Sequence, residues 1–192
     1  MVQDEEDLLL RLATDLDSHF RQLVILYQQR LYSFALRLVG SPQDAEDTVQ
    51  ETFLRSYHAL KSYPVLKVRA LRIRPWLYTI TLNIFRNRQR KPEHQSIPLD
   101  TSEGSPLLEI EDQSCGPEEE AYWHEMRREL EMQLASLREP YRIAVTLYYF
   151  EDLSYTEIAE LLNQPIGTVK AHVHRALRQL HKALDTQTNG VR

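Results

Sequence analysis

An all-α protein of two small helical domains joined by a flexible acidic linker is the fold class this sequence predicts, and three observations predict it. Glycine is scarce, 5 in 192 residues, while leucine, arginine, glutamate and glutamine are abundant, a composition that favours helices over sheets. Apolar residues recur at helical spacing in several separate segments. Residues 92–117 break that pattern with Pro98, Gly104, Pro106, Gly116 and Pro117 in a polar, acid-rich setting, too long for an ordinary connection. The expected domains are therefore residues 18–91 and 118–185, with residues 92–117 as the linker.

The elements follow in order. Residues 19–39 place Phe20, Leu23, Val24, Tyr27, Leu31, Phe34, Ala35 and Leu38 on one helical face, and Gly40 ends the helix. Ser41 supplies an N-cap for the next helix, with Pro42 in its first turn and Asp44 as a first-turn acid. That helix carries Val49, Phe53, Leu54, Tyr57 and Leu60, with Phe53, Leu54 and Tyr57 expected in the core, and Tyr63-Pro64 stops it. Residues 65–74 read as a basic connector with at most a short helical turn. Residues 76–90 repeat the helical pattern through Trp76, Leu77, Ile80 and Ile84. Beyond the linker, residues 118–137 are helical, and Pro140 opens a helix over residues 141–150.

Residues 153–177 (LSYTEIAELLNQPIGTVKAHVHRAL) are the most informative segment. Ser154 and Glu157 form a capping box at the start of a short helix. Asn163 suits the left-handed residue that ends it, and Pro165 blocks its continuation. Thr168 is expected to cap a second helix. There Val169, Val173, Ala176, Leu177, Leu180 and Leu184 face inward, while Lys170, Ala171, His174, Arg175 and Arg178 face outward. A helix-turn-helix with small and basic outward residues fits the DNA major groove. No acid lies between Glu160 and Asp185 to repel phosphate.

Charge is distributed to match. The net charge is −5, yet residues 52–92 hold ten bases (Arg55, Lys61, Lys67, Arg69, Arg72, Arg74, Arg86, Arg88, Arg90, Lys91) and no acid. Residues 93–131 hold twelve acids against Arg127 and Arg128. Segregation of this kind steers a protein onto DNA whatever its total charge. The single Cys115 has no partner for an internal disulfide, and a reducing cytoplasm is the expected setting. The acidic start lacks a secretory apolar region, and the longest apolar-rich run, residues 143–150, is too short to span a bilayer. A soluble intracellular protein is expected. Asp44, Asp47 and Glu51 share one helix face at spacings of three and four, but no histidine lies nearby to complete a metal site. His172 and His174 diverge by about 200° around a helix and cannot chelate one ion together. Neither metal nor cofactor is expected.

The chain resembles the bacterial RNA polymerase sigma factors of the extracytoplasmic-function (ECF) sigma-70 group. Three motifs in order carry the resemblance over residues 18–184: residues 44–55 (DAEDTVQETFLR), similar to sigma domain two; residues 74–87 (RPWLYTITLNIFRN), similar to the helix that engages the minus-ten promoter element; and residues 137–155 (LREPYRIAVTLYYFEDLSY) with the helix-turn-helix, similar to sigma domain four. The resemblance implies a transcription initiation factor, not an enzyme. It implies that Asp44, Asp47, Gln50, Glu51 and Arg55 dock on the beta-prime clamp helices of core RNA polymerase, with domain four on the beta flap. It implies that the connector between Tyr63 and Pro75 captures a flipped non-template base, and that Trp76, Asn83 and Asn87 line the strand.

The residues suit these roles. Promoter opening needs a basic track and aromatic platforms; Arg69, Arg72, Arg74, Arg86, Arg88 and Lys91 supply the first, and Tyr63, Trp76 and Tyr78 the second. Asn83 sits mid-helix among apolar residues, where asparagine has poor propensity and a polar task explains it. Trp76 fits a strand contact and a core position about equally. Thr168, Lys170, Ala171, His174, Arg175 and Arg178 are the minus-thirty-five candidates. Ala171 and His174 depart from the usual residues, which implies a changed sequence preference there. The linker reads as a self-repelling tether that keeps the domains apart; the resemblance implies that it also threads the RNA-exit path. The family further implies an anti-sigma partner, often membrane-bound, and a cytoplasmic protein that joins the nucleoid within holoenzyme.

Two other readings compete. A helix-turn-helix regulator working without polymerase assembly would carry a sensor or dimerisation domain where residues 18–91 instead form a basic helical domain. A nuclease would need converging carboxylates or a nucleophile, and the pattern offers neither.

Overall fold

The computed structural model describes residues 2–90 and 117–188. Among these there are nine helices: α1 (Val2–Thr14), α2 (Leu16–Val39), α3 (Pro42–Ser62), α4 (Val65–Arg69), α5 (Ile73–Arg90), α6 (Pro117–Ser136), α7 (Glu139–Tyr149), α8 (Tyr155–Leu162) and α9 (Ile166–Thr188). Lys91, Cys115 and the linker up to residue 116 lie outside the described residues.

The punctuation expected of Gly40 and Ser41 is in place. Gly40 takes the left-handed conformation (φ 75°) and its amide donates to the Leu36 carbonyl, closing α2. Ser41 Oγ accepts from the Asp44 amide and Pro42 opens the first turn of α3. The start of the chain is a correction: α1 precedes the first segment that periodicity indicates. Leu8, Leu9 and Leu12 are buried from it, and Glu5 accepts a 2.8 Å bond from the Tyr27 hydroxyl. A single short leucine stripe behind four consecutive acids reads as solvated chain until α2 and α4 are there to cover it.

Helices α3 and α5 meet through small polar residues. Thr48, Thr52, Ser56 and Thr81 are all buried, and each hydroxyl donates to a carbonyl of its own helix. Their polarity is thus satisfied locally, and their size lets the helices approach until Thr52 Oγ1 lies 3.2 Å from Thr81 Oγ1. The larger apolar side chains sit on the other flank. Phe34 from α2 packs edge-on against Tyr78 from α5 (5.0 Å between centroids), and both are fully buried.

The second half has its own small cluster, Leu134, Leu137, Val145, Ala176 and Leu180. Other apolar residues of this half, Ile143, Leu147, Leu153, Ile158, Leu162 and Val169, run into the core of the first half. The two helical units therefore share buried surface, a correction to the expectation that the tether holds them apart. Burial of apolar area outweighs the self-repulsion of a charged linker.

Candidate nucleic-acid interface

The helix-turn-helix is built by local chemistry. The Ser154 amide donates to Glu157 Oε2 (2.8 Å) and the Glu157 amide to Ser154 Oγ (3.3 Å), the reciprocal capping box at the start of α8. Asn163 closes α8 in the left-handed region (φ 51°). Asn163→Val is expected to cost about 1–2 kcal/mol, read by thermal unfolding, because a β-branched residue is strained at that angle. Thr168 is a correction: α9 begins at Ile166, so Thr168 lies inside the first turn, and its amide donates to the Pro165 carbonyl (2.9 Å). Pro165 stands at the cap position instead, its carbonyl accepting from the Thr168 and Val169 amides.

On α9, Val169, Val173, Ala176 and Leu180 are buried, and Lys170, His174, Arg175 and Arg178 are exposed, with Ala171 and Thr168 half-buried beside them. Arg178 Nη2 lies 3.4 Å from His174 Nδ1, so these two present one joint polar surface. Lys170 sits 5.6 Å over the Tyr155 ring. His172 is turned away against Tyr141 (5.4 Å between rings), and burial, with Arg175 beside it, pushes its imidazole below the usual range.

A second face lies on α3. Asp47, Gln50 and Arg55 are exposed, and Asp44 and Glu51 are half-buried beside them. Glu51 bonds Arg55 through Oε1 and Arg88 of α5 through Oε2 (3.2 Å), so α3 and α5 are tied at this edge. Leu54 is a correction: it is 59 % exposed and stands beside these polar groups, whereas Phe53 is buried and Tyr57 half-buried. Helical position explains it, since Leu54 falls one step past the buried Phe53 and follows Gln50 and Glu51 onto their face.

The third face spans α4 and α5. Tyr63 and Trp76 lie 6.2 Å apart, and Lys67 Nζ sits 3.5 Å over the Tyr63 ring. Trp76 is half-buried, so it is both a core contact and a surface ring. Asn83 and Asn87 are exposed one turn apart, with Arg86 half-buried between them. Val65 and Leu66 of α4 protrude, Leu66 being 79 % exposed. Tyr78, expected as a surface ring, is instead fully buried, a correction that follows from its place on the face of α5 turned toward α2.

Several cations of this third face are engaged by the second helical unit. Arg74 Nη2 donates to the Glu151 carbonyl, and the Tyr78 hydroxyl donates to Glu151 Oε2. Arg37 of α2 lies 4.0 Å from Glu151 Oε1, bonds Glu131 (3.1 Å) and stacks over Phe150 (4.0 Å). Arg72 pairs with both Glu157 and Glu160 (3.1 Å to the latter), and Arg86 with Glu139 (3.8 Å). Glu151 is only 5 % exposed, and burial pushes its carboxyl up, while the Tyr78 bond and Arg37, Arg30 and Arg74 pull it down. These contacts join residues from 53 (Arg86–Glu139) to 114 (Arg37–Glu151) positions apart, and no local pattern announces them.

A helix-turn-helix with a basic outward helix, set beside a second helical unit with its own basic and aromatic surface, defines the class of DNA-binding proteins. Comparison with known proteins makes this specific. Residues 23–94 match the sigma-70 region 2 family and residues 127–180 the sigma-70 region 4 family. The chain is 31 % identical over 169 residues to the ECF RNA polymerase sigma factor SigW of Bacillus subtilis, covering 86 % of this chain and 88 % of that one. It is 33 % identical over 165 residues to the ECF RNA polymerase sigma-E factor of Escherichia coli K12, covering 82 % of each. The fold is similar to CnrH, solved in complex with the cytosolic domain of CnrY (TM-score 0.67, 23 % identity, 95 % of this chain and 97 % of that one). It is also similar to the sigma factor RpoE of Bartonella quintana, solved with the anti-sigma factor NepR (TM-score 0.65, 24 % identity, 86 % and 96 %). The chain belongs to the ECF group of RNA polymerase sigma factors. Among the described residues, no helix is long and apolar enough to cross a membrane.

Proposed function

We infer that the three faces divide the work of a promoter-specificity subunit acting in the cytoplasm without catalysis of its own. The exposed basic stripe of α9, through Lys170, Ala171, His174, Arg175 and Arg178 with Thr168 at its start, reads the duplex minus-thirty-five element. Tyr63, Trp76, Asn83 and Asn87, with Arg74 and Arg86, receive the minus-ten strand. Asp44, Asp47, Gln50, Glu51 and Arg55 dock on the beta-prime clamp helices of core RNA polymerase, and the second helical unit rests on the beta flap. One observation supports the reading: Lys170, His174, Arg175 and Arg178 stand exposed along one face of α9 with no described acid among them. The solved relatives with CnrY and with NepR support a protein partner that restrains this chain as well.

Reconstitution with bacterial core polymerase and a promoter library tests the reading: sequence-selective initiation is expected. Tight duplex binding by the free protein without selective initiation would favour a stand-alone regulator. Within the docking face, Asp47→Ala is expected to weaken core binding by about 1 kcal/mol, roughly fivefold, with promoter preference unchanged. Unaltered affinity for core would remove Asp47 from that face.

A further inference from the structure

Helix α4 is too short to hold itself. It spans five residues, its cap Pro64 supplies no side-chain bond, and a helix of this length has no stability apart from what it packs on. The connector that contains it is pinned at one end by Tyr63 against Trp76 and at the other by the buried Ile73. Between those pins, α4 packs chiefly on α1. Val68, the buried residue of α4, lies in the same apolar cluster as Leu8, Leu9 and Leu12 of α1. The opposite side of α4 faces outward: Val65, Leu66 and Lys67 are exposed, the last with its ammonium over the Tyr63 ring. Helix α1 is itself fastened at both ends. The Asp15 amide donates to the Arg11 carbonyl (2.9 Å) and Asp15 Oδ1 accepts from the Ser18 amide (3.2 Å), which fixes the turn into α2. Near its start, Glu5 accepts the 2.8 Å bond from Tyr27.

We propose that α1 is a brace that sets where α4 stands, so that Leu8, Leu9 and Leu12 are positioning residues for the minus-ten strand although they lie buried beneath α4. The proposal deepens the function given above and rests on the assignment of the connector and α5 to that strand. Reading an unstacked base requires rings and donors held to within about 0.5 Å of their working places. A five-residue helix cannot supply that precision from its own hydrogen bonds, whereas a buried contact with a long, doubly fastened helix can. The exposed apolar pair makes the dependence sharp. Without α1 against Val68, burial would favour turning Val65 and Leu66 inward in its place, and Lys67 would leave the Tyr63 ring with them. The brace thus selects which side of α4 the strand meets, from a part of the chain that makes no contact with DNA.

The test compares Leu12→Ala with Leu12→Met, which refills the site, and with Leu38→Ala, a buried leucine of the same core near the far end of α2. Two measurements are made on the full chain. The first is the mobility of a nitroxide at Leu66→Cys in a Cys115→Ser background. The second, without label, is the affinity of holoenzyme for forked promoters whose single-stranded minus-ten segment carries the preferred sequence or single-base variants. Leu12→Ala is expected to mobilise the label and to reduce minus-ten discrimination about tenfold, within the range that one mismatched base commands. Affinity for core polymerase and preference at the minus-thirty-five element are expected to stay unchanged. Leu12→Met and Leu38→Ala are expected to behave as the parent in both measurements. An immobile label in Leu12→Ala overturns the brace. A mobile label with unchanged discrimination, or an equal loss in Leu38→Ala, overturns the positioning role. Should Leu12→Ala fail to fold, Tyr27→Phe removes the tie to Glu5 without opening a cavity. A smaller change in the same direction is expected of it, and no change in label mobility overturns the brace. A parent holoenzyme without minus-ten discrimination would count against the strand assignment itself, while the label still reports whether α1 holds α4.

Discussion

Phe34→Ala is expected to destabilise the protein by about 3–5 kcal/mol, the range for removing a fully buried phenylalanine. Phe34 is entirely enclosed, and its ring stands edge-on to Tyr78. The substitution therefore removes apolar burial and an aromatic pair together, and leaves a cavity beside the ring that reaches Glu151. Urea unfolding should show the midpoint lowered with its slope unchanged. A loss below about 1 kcal/mol would mean that α2 and α5 close over the gap, against the tight α3–α5 contact behind them. Because Tyr78 orients the buried bond to Glu151, the same variant should also loosen the seam between units.

Arg175→Ala is expected to reduce discrimination between the preferred minus-thirty-five sequence and its single-base variants by about 1–3 kcal/mol. Arg175 is exposed in the outward stripe of α9, with His174 beside it and no described acid on the same helix face. Guanidinium groups in this setting read guanine edges with two bonds, and alanine reads nothing. Lys170→Ala provides the contrast. Its ammonium sits nearer the start of α9, over Tyr155, and should weaken all duplexes alike while reducing the salt slope by about one. Both effects are measured by competition binding of holoenzyme across a set of promoter variants. Equal, sequence-independent losses from the two substitutions would remove Arg175 as a base reader.

The helices that carry the proposed reading surfaces are legible because their signals are local. Ser154 with Glu157, Asn163, Gly40 and Ser41 with Pro42 each act within a few residues, and each marks a boundary where the structure has one. Where the governing interaction is remote, sequence spacing misleads. Thr168 looks like a cap, but Pro165 starts α9 first. Tyr78 looks like a surface platform because its neighbours are basic, yet α2 covers it. Leu54 is apolar and helical in register with core residues, yet it faces outward beside Gln50 and Glu51. Helix α1 lacks any signal strong enough without α2 and α4 to bury Leu8, Leu9 and Leu12. The seam is the extreme case. Arg72 with Glu157 and Glu160 are complementary only once two distant segments meet, and a list of charges along the chain records both sides without pairing them.

The stripe of small hydroxyls between α3 and α5 has a mechanical meaning. Thr52 touches Thr81, and Glu51 is tied to Arg88 at the rim, so the two helices pack in close register with one another. On the proposed assignments, α3 is where polymerase takes hold and α5 is where the separated strand is held. The two grips thus belong to one stiff part, so the protein itself gauges how far the opened strand lies from the enzyme's handhold. Enlarging any of those hydroxyl residues would recalibrate that gauge while leaving both grips chemically intact.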